Sequence, residues 1–408
     1  MHIDLNSCFA MVEQQARPSL RGKPLGVTNR LTKQACMVAL SYEAKKFGAK
    51  VGMRRDEVEA LVPGLLILET DPPKYHYVYQ KLVAIMKSYS PNVVMKSIDE
   101  GIIDFTGTRS TINKRGLEDI GREIKQRLKE EVGVWMTCNV GISTNRFLAK
   151  LAAGQNKPDG LTRIDHTNVR AWLGRLQLTD LPGIASHFEA RLMAASITTP
   201  LQFLDAPAHV LHKQVFRSKN GDDWHQRLRG HEVDDYATKL GVVGRQYVLD
   251  GASRDDELLR NRLAHLSFST ARKLRFNARA ARGVMVYARM QTGDYWMQRK
   301  MFKSYVYSDQ TIFERAIYLF NQRPKHLLVK EMGVSCYGFE FLDQTTAQTD
   351  LFGEQQHAEQ LTDAIDEAND RYGAGTISFA VAIGAHKQIK QKLPFGSIKY
   401  FELLCSSQ

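Results

Sequence analysis

Met1-His2-Ile3-Asp4-Leu5-Asn6-Ser7-Cys8-Phe9-Ala10 and Ser97-Ile98-Asp99-Glu100-Gly101-Ile102-Ile103-Asp104-Phe105 each set carboxylates at the end of a short apolar run. Each run reads as a buried strand. A buried carboxylate costs several kcal/mol unless a cation or hydrogen-bonding partner compensates. Asp4, Asp99 and Glu100 converging from two strands make an all-oxygen site for hard divalent ions such as Mg²⁺. Two-metal phosphoryl or nucleotidyl transfer uses such a site. On spacing alone, strand-end caps or surface charges account for the three acids equally well. The stretch from Val93 to Phe105 reads as two strands with the acidic pair between them. Strand neighbours point to opposite faces, so Asp99 and Glu100 share an ion only where the backbone bends. Gly101 is the expected hairpin tip.

The whole chain bounds the possibilities further. Its 408 residues allow two to four domains with sizeable cores. The net charge of +12 favours polyanionic partners, nucleic acid or an anionic membrane surface. The excess is local. Residues 244–305 hold thirteen Lys/Arg against five Asp/Glu, whereas residues 344–408 hold five against eight. Cys8, Cys36, Cys138, Cys336 and Cys405 have no paired or metal-ligand spacing, which fits reduced thiols in the cytosol. Asp4 interrupts any signal-peptide run, and no apolar stretch is long enough to span a membrane.

Along the chain, strands and helices mix up to Leu68. Ala39 to Gly48 is a turn into a short helix with a glycine at its end. After the breaker Asp71-Pro72-Pro73, helical spacing of Tyr75, Val78, Tyr79, Leu82, Ile85 and Met86 predicts a helix. Leu117–Val132 is an amphipathic helix and Thr137–Ile142 a strand. Ser143 or Thr144 is the expected cap of a helix running to Ala153. Lys157-Pro158-Asp159-Gly160 is a turn. From Val169 the texture is helical. Leu181-Pro182-Gly183-Ile184 resembles a helix-hairpin-helix, whose glycine turn offers backbone N–H groups to DNA phosphates; Ala185 stands where that motif has a second glycine. The α+β pattern returns with a helix at Asp255–Phe276, strands at Val284–Met290 and Tyr295–Ser304, a helix near Thr311–Asn321 and a strand at Val334–Leu342. An acidic helical run, Ala358–Tyr372, and a strand at Thr376–Ile383 follow.

Five stretches in order carry a family resemblance: His2 to Ala10, Ser41-Tyr42-Glu43-Ala44-Lys45-Lys46-Phe47-Gly48, Asp71 to Tyr75, Ser97 to Gly101, and Gly141 to Ala152 with Lys157 to Gly160 after it. Over residues 1–343 the chain resembles the Y-family DNA polymerases of the bacterial UmuC/DinB translesion type. The resemblance implies a multi-domain α+β right hand: palm at 1–15 and 72–165, fingers at 16–71, a helical thumb at 166–232, a linker at 233–243, a little finger at 244–343 and a tail at 344–408. It implies that Asp4 and Asp99 bridge two Mg²⁺ ions, with Glu100 completing the ion beside the primer 3′-hydroxyl and the Leu5 carbonyl helping to hold the other. No side chain is an obvious general base.

By the same resemblance Phe9 is the steric gate under the sugar of the incoming dNTP, although from the residue alone a core phenylalanine after a strand is the stronger reading. Cys8 stands where the family usually has another aromatic. Tyr42, Lys45 and Lys157 match triphosphate-binding positions. Lys45 stands where Arg is commoner, and a point charge grips phosphate less firmly than a bidentate guanidinium. The basic block, with Arg272, Lys273, Arg275, Arg279, Arg282, Arg299, Lys300 and Lys303, lies where the little finger grips DNA; the thumb contact would be Gly183. Gln348-Thr349-Asp350-Leu351-Phe352 resembles a sliding-clamp-binding pentapeptide anchored by Gln348, Leu351 and Phe352. The expected partners are therefore primer-template DNA, dNTP and a clamp, with no membrane, in the bacterial cytoplasm at the nucleoid. Two rivals stay open: a catalytically inactive DNA-binding accessory homologue held on a clamp as a scaffold, and a helix-hairpin-helix DNA glycosylase.

Overall fold

The strand β1 (His2–Leu5) is the middle of a five-stranded sheet ordered β5-β6-β1-β7-β8. In chain order the elements are α1 (Cys8–Ala16), β2 (Leu25–Thr28), β3 (Met37–Leu40), α2 (Tyr42–Lys45), α3 (Arg55–Leu61), β4 (Leu66–Glu69), α4 (Pro72–Lys87), β5 (Val93–Met95), β6 (Glu100–Ile103), α5 (Leu117–Glu131), β7 (Cys138–Ile142), α6 (Arg146–Gly154) and β8 (Leu161–Arg163). The computed structural model describes residues 1–108, 115–235, 240–342, 354–373 and 375–382. They fall into two compact units, one up to residue 235 and one from residue 240.

β1 pairs antiparallel with both neighbours, so its backbone is satisfied on both sides. Asp4 lies opposite Glu100 on β6 and opposite Asn139 on β7. Directly opposed residues share a face. His2, Asp4, Glu100 and Asn139 are therefore gathered on one face, while Ile3, Leu5, Ile103 and Val140 bury the other. The helix α5 covers that apolar face with Ile120, Ile124 and Leu128, all buried. On the polar face α6 lies directly on Gly141: a Cβ there would sit 2.0 Å from the Ala149 carbonyl oxygen. Only glycine permits that approach.

Two local expectations are corrected. Gly101 is not the hairpin tip; it sits within β6, opposite Met95 and Ile3. The bend comes at Ser97, whose hydroxyl accepts the backbone N–H of Glu100 at 3.1 Å. This turn removes Asp99 from strand alternation. The cap of α6 is Asn145, not Ser143 or Thr144: its Oδ1 accepts the Leu148 N–H at 2.8 Å. Its Nδ2 also donates to the carbonyls of Arg227 and His231, at 2.7 and 2.9 Å. A hydroxyl, with its single proton, lacks the donors to bond both carbonyls.

A second, three-stranded sheet ordered β3-β2-β4 carries α2 and α3. The helical segment α7 (Val169–Leu173), α8 (Ser186–Ala194), α9 (Pro200–Asp205), α10 (Ala208–Val210) and α11 (Asn220–Leu228) closes around Leu211, Phe203, Phe216 and Trp224. Gly183 precedes α8 at φ 93°, a left-handed conformation that favours glycine. The element before it is a 3₁₀ turn, Leu178–Asp180.

The second unit holds β9 (Val242–Ser253), α12 (Asp256–Phe276), β10 (Arg279–Met290), β11 (Tyr295–Val306), α13 (Asp309–Phe320) and β12 (Val329–Phe341), with sheet order β11-β10-β12-β9. β9 went unread in the sequence. It starts at Val242, inside the stretch read as linker, and its buried Val243, Tyr247 and Leu249 are spaced by exposed or polar residues. Helices α12 and α13 cover one face of the sheet. The tail helix α14 (Glu354–Tyr372) packs against α13. The expected strand at Thr376–Ile383 is absent from its described part. Asn369 instead takes both the N–H and the C=O of Ile377, at 2.9 Å each, and Ala380–Ala382 is helical.

Arg275 ties the tail to this unit. It is buried and donates to Asp309 at 2.9 Å and to Asp366 of α14 at 2.7 and 2.9 Å. Removing one member of a buried ion pair costs about 3–5 kcal/mol, because the remaining charge is left uncompensated. Arg275→Ala is accordingly expected to accelerate amide exchange in α14 and at the start of α13. Unchanged exchange there would remove the network as the source of docking.

Candidate active site

Residues two apart on a strand share a face, so β1 presents His2 with Asp4. The ligand atoms of His2, Asp4 and Glu100 lie within 4.8 Å of one another. Asp99 ends the turn beside them, and its carbonyl accepts the Leu5 N–H at 2.8 Å. Asp4 Oδ2 receives Lys157 Nζ at 2.6 Å. Both oxygens of Glu100 receive Lys150 Nζ, at 2.9 and 2.8 Å, and His2 Nε2 lies 3.1 Å from Oε2. Against burial, which alone would raise it, these His2 and Lys150 contacts bring the Glu100 pKa down to about 2. Asp99 differs. Burial raises its pKa; the Ser97 hydroxyl opposes this, and the charges of Asp4 and Glu100 add to it.

This electrostatic pattern suits divalent ions. Three carboxylates and a nearby backbone carbonyl are hard oxygen donors. Among the described residues, lysine ammonium groups stand against two of the acids, while burial first, and then the charges of Asp4 and Glu100, disfavour ionisation of the third. A cation placed among them would relieve the repulsion that raises Asp99.

The other site residues predicted from sequence gather around β1 and α1. Phe9 stacks on buried Tyr75, with centroids 4.4 Å apart. Tyr75 is fixed in turn by a 3.0 Å hydrogen bond to Glu13. Lys45 Nζ donates to Ser7 Oγ at 2.7 Å and lies over the Tyr42 ring at 4.9 Å. Burial, then repulsion from Lys157, lowers the Lys45 pKa. Lys157, Lys45 and Tyr42 thus share one neighbourhood with Asp4. Cys8 is buried, and burial with the charges of Asp99 and Asp4 pushes its thiol well up, so it stays protonated.

Sequence reasoning missed His2 and Lys150. His2 was legible from the two-residue period. Lys150 had no such signal, since on α6 it is simply an exposed position among buried Phe147, Leu148 and Leu151.

In the second unit the basic block divides between faces. Arg299, Lys303, Tyr295 and Met297 share the sheet face away from α12 and α13, where Tyr295 stacks on Tyr287 at 5.5 Å. Lys300 is on the opposite face. It pairs with core residue Val284, and its Nζ lies 4.8 Å from the Tyr318 ring of α13. Arg272 and Arg275 are turned to α14, paired with Asp370 and Asp366. Gly183 belongs to the first unit, and Gln348, Leu351 and Phe352 lie outside the described residues.

The impB/mucB/samB family model matches residues 3–154, and the model of that family's C-terminal domain matches residues 243–351. DNA polymerase IV of Pelotomaculum thermopropionicum is 32% identical over 397 residues, covering 93% of this chain and 94% of that protein. The chain belongs to the Y family of DNA polymerases. DNA polymerase IV of Moorella thermoacetica is likewise 32% identical, covering 93% of this chain and 95% of its own length. Among solved structures, a Y-family DNA polymerase chimera of Dbh and Dpo4 matches with TM-score 0.71 and 25% identity, covering 83% of this chain and 98% of that one. An insertion ternary complex of Dbh DNA polymerase matches with TM-score 0.55 at the same identity and coverage. Membership in the Y family makes the chain a DNA-directed DNA polymerase.

Proposed function

We propose that this polymerase adds dNTPs to a primer 3′ end at Asp4, Asp99 and Glu100, and that it does so during translesion synthesis in DNA damage tolerance. The observation carrying the reading is the facing pair Asp4 and Glu100 across β1 and β6, with half-buried Asp99 at the adjoining turn. Asp4, Asp99, Glu100 and the Leu5 carbonyl would hold two Mg²⁺ ions. Bound there, the ions supply acidification of the primer hydroxyl and neutralisation of charge growing on the α-phosphate. Lys150 and His2 keep Glu100 ionised and fix its orientation. Lys157, Lys45 and Tyr42 receive the triphosphate, and Phe9, backed by Tyr75, walls off the sugar 2′ position. Primer extension in the presence and absence of a divalent ion tests the assignment.

The domain reading follows. The five-stranded layer is the palm, the small three-stranded layer the fingers, residues 166–232 the thumb with Gly183 at its DNA-facing turn, and the second unit the little finger. DNA grip by the little finger rests on its open sheet face. Each phosphate neutralised contributes about 0.9 to the slope of log affinity against log salt. Replacing Arg299 and Lys303 with Ala should flatten that slope by about 2, whereas Lys300→Ala should change it by less than about 0.5, since its ammonium lies over Tyr318. Equal effects from both variants would put the duplex elsewhere. The pentapeptide from Gln348 to Phe352 is the proposed clamp anchor, raising local concentration on DNA through a second attachment. Loss of clamp-stimulated synthesis in a Leu351→Ala, Phe352→Ala variant checks it. Persistent stimulation would remove the motif from the account. These partners place the enzyme in the cytoplasm, at the nucleoid.

A further inference from the structure

Two buried amides sit behind the proposed triphosphate contacts. Asn6 is 1% exposed and Asn139 is fully buried. Asn6 Nδ2 donates to Asn139 Oδ1 at 2.9 Å and to the Tyr42 hydroxyl at 3.3 Å. Asn6 Oδ1 accepts the Thr137 hydroxyl and the Asp159 N–H, both at 2.9 Å. Asn139 Oδ1 also accepts the Gly160 N–H at 3.2 Å, and its Nδ2 donates to the Gln155 carbonyl at 2.9 Å. All four hydrogen-bonding positions of the Asn6 amide are used. The pair touches two things that matter to a nucleotide. One is the hydroxyl of Tyr42. The other is the backbone that carries Lys157, held from both sides through Gln155 and through Asp159 and Gly160.

We propose that Asn6 and Asn139 are positioning residues for the triphosphate of the incoming nucleotide. They act by setting the Tyr42 hydroxyl and the Lys157 segment relative to β1. The inference rests on the reading of Asp4, Asp99 and Glu100 as the catalytic centre. Amides suit the task because each must donate and accept at once. A carboxylate accepts only. Asn6→Asp keeps the bonds from Thr137 and Asp159, loses the one to Asn139, and turns the Tyr42 hydroxyl from acceptor into donor, with almost no change of shape. A satisfied buried polar network is costly to break at one member.

The test is steady-state single-nucleotide insertion by the full chain carrying Asn6→Asp, Asn139→Ala, or both. KM for dNTP should rise about tenfold, with kcat within about threefold, since the interactions lost position substrate and do not develop in the transition state. The rise should be the same for all four dNTPs, and primer-template affinity and the rNTP-to-dNTP ratio should not move. The double variant should be no worse than the poorer single, because the two act as one unit. Tyr42→Phe, which removes the hydroxyl that Asn6 holds, should likewise raise KM in the wild-type background. An unchanged KM, or a fall in kcat alone that tracks a loss of folded protein, would overturn the proposal by making the pair structural. Asp99→Asn is the control. If it retains extension, the underlying active-site reading fails. If it abolishes extension while Asn6→Asp keeps a normal KM, only the present inference fails.

Discussion

Asp99→Asn is expected to lower the rate of nucleotide addition by at least about a thousandfold, a loss of roughly 4 kcal/mol of transition-state stabilisation. The substitution keeps shape and removes charge. Among the described residues Asp99 is the acid without a lysine on it, and burial together with Asp4 and Glu100 pushes its pKa up. It is therefore the position where an added cation gains most, and an amide there gives that cation a neutral ligand. Removing the charge also relieves repulsion, so the apo protein should fold as well as the wild type or better. Primer-template affinity should stay within about twofold, because phosphate contacts dominate it. Binding by titration, melting, and pre-steady-state insertion on the same preparation separate the three expectations. Near-normal insertion would remove Asp99 from the chemistry.

Phe9→Ala is expected to raise ribonucleotide incorporation relative to deoxynucleotide by about a hundredfold. The ring is stacked 4.4 Å from Tyr75, and Tyr75 is itself buried and hydrogen-bonded to Glu13. A ring so backed cannot yield to an added hydroxyl, so truncation opens space that the wild-type chain denies. The expected change is in the ratio of rNTP to dNTP insertion efficiency, with the dNTP value falling only modestly. If the variant loses both activities together and the ratio stays fixed, Phe9 supports packing and the wall lies elsewhere.

The depth to which this site could be read from residues follows from how local each signal is. The acids of β1 and of the Ser97–Gly101 turn are adjacent to apolar runs, and that contrast is visible in a short window. The period of two on β1 also contained His2. The shape of the hairpin was not legible, because glycine competes with a serine hydroxyl that bends the chain by accepting backbone N–H groups. Lys150, Asn6 and Asn139 act through partners between 16 and 153 positions away along the chain. No periodicity encodes such pairings. β9 was hidden because polar Arg245 and Gln246 interrupt its apolar residues. Charge counting located the basic block but not its faces. The parity of β11 separates Arg299 and Lys303 from Lys300, and the acidic tail helix claims Arg272 and Arg275. The acidity of residues 344–408, read only as a contrast in composition, thus has a structural use in its described part.

The most direct test of the central claim is single-nucleotide extension of a primer-template by the full chain, with each dNTP supplied alone. Asp99→Asn runs in parallel, and each reaction is made with Mg²⁺, with a chelator, and with Mg²⁺ restored. The account predicts addition of the template-complementary dNTP by the wild type in Mg²⁺, none under chelation, recovery when Mg²⁺ returns, and none with Asp99→Asn. Tight primer-template binding without addition under any of these conditions, or addition that survives chelation, would contradict it.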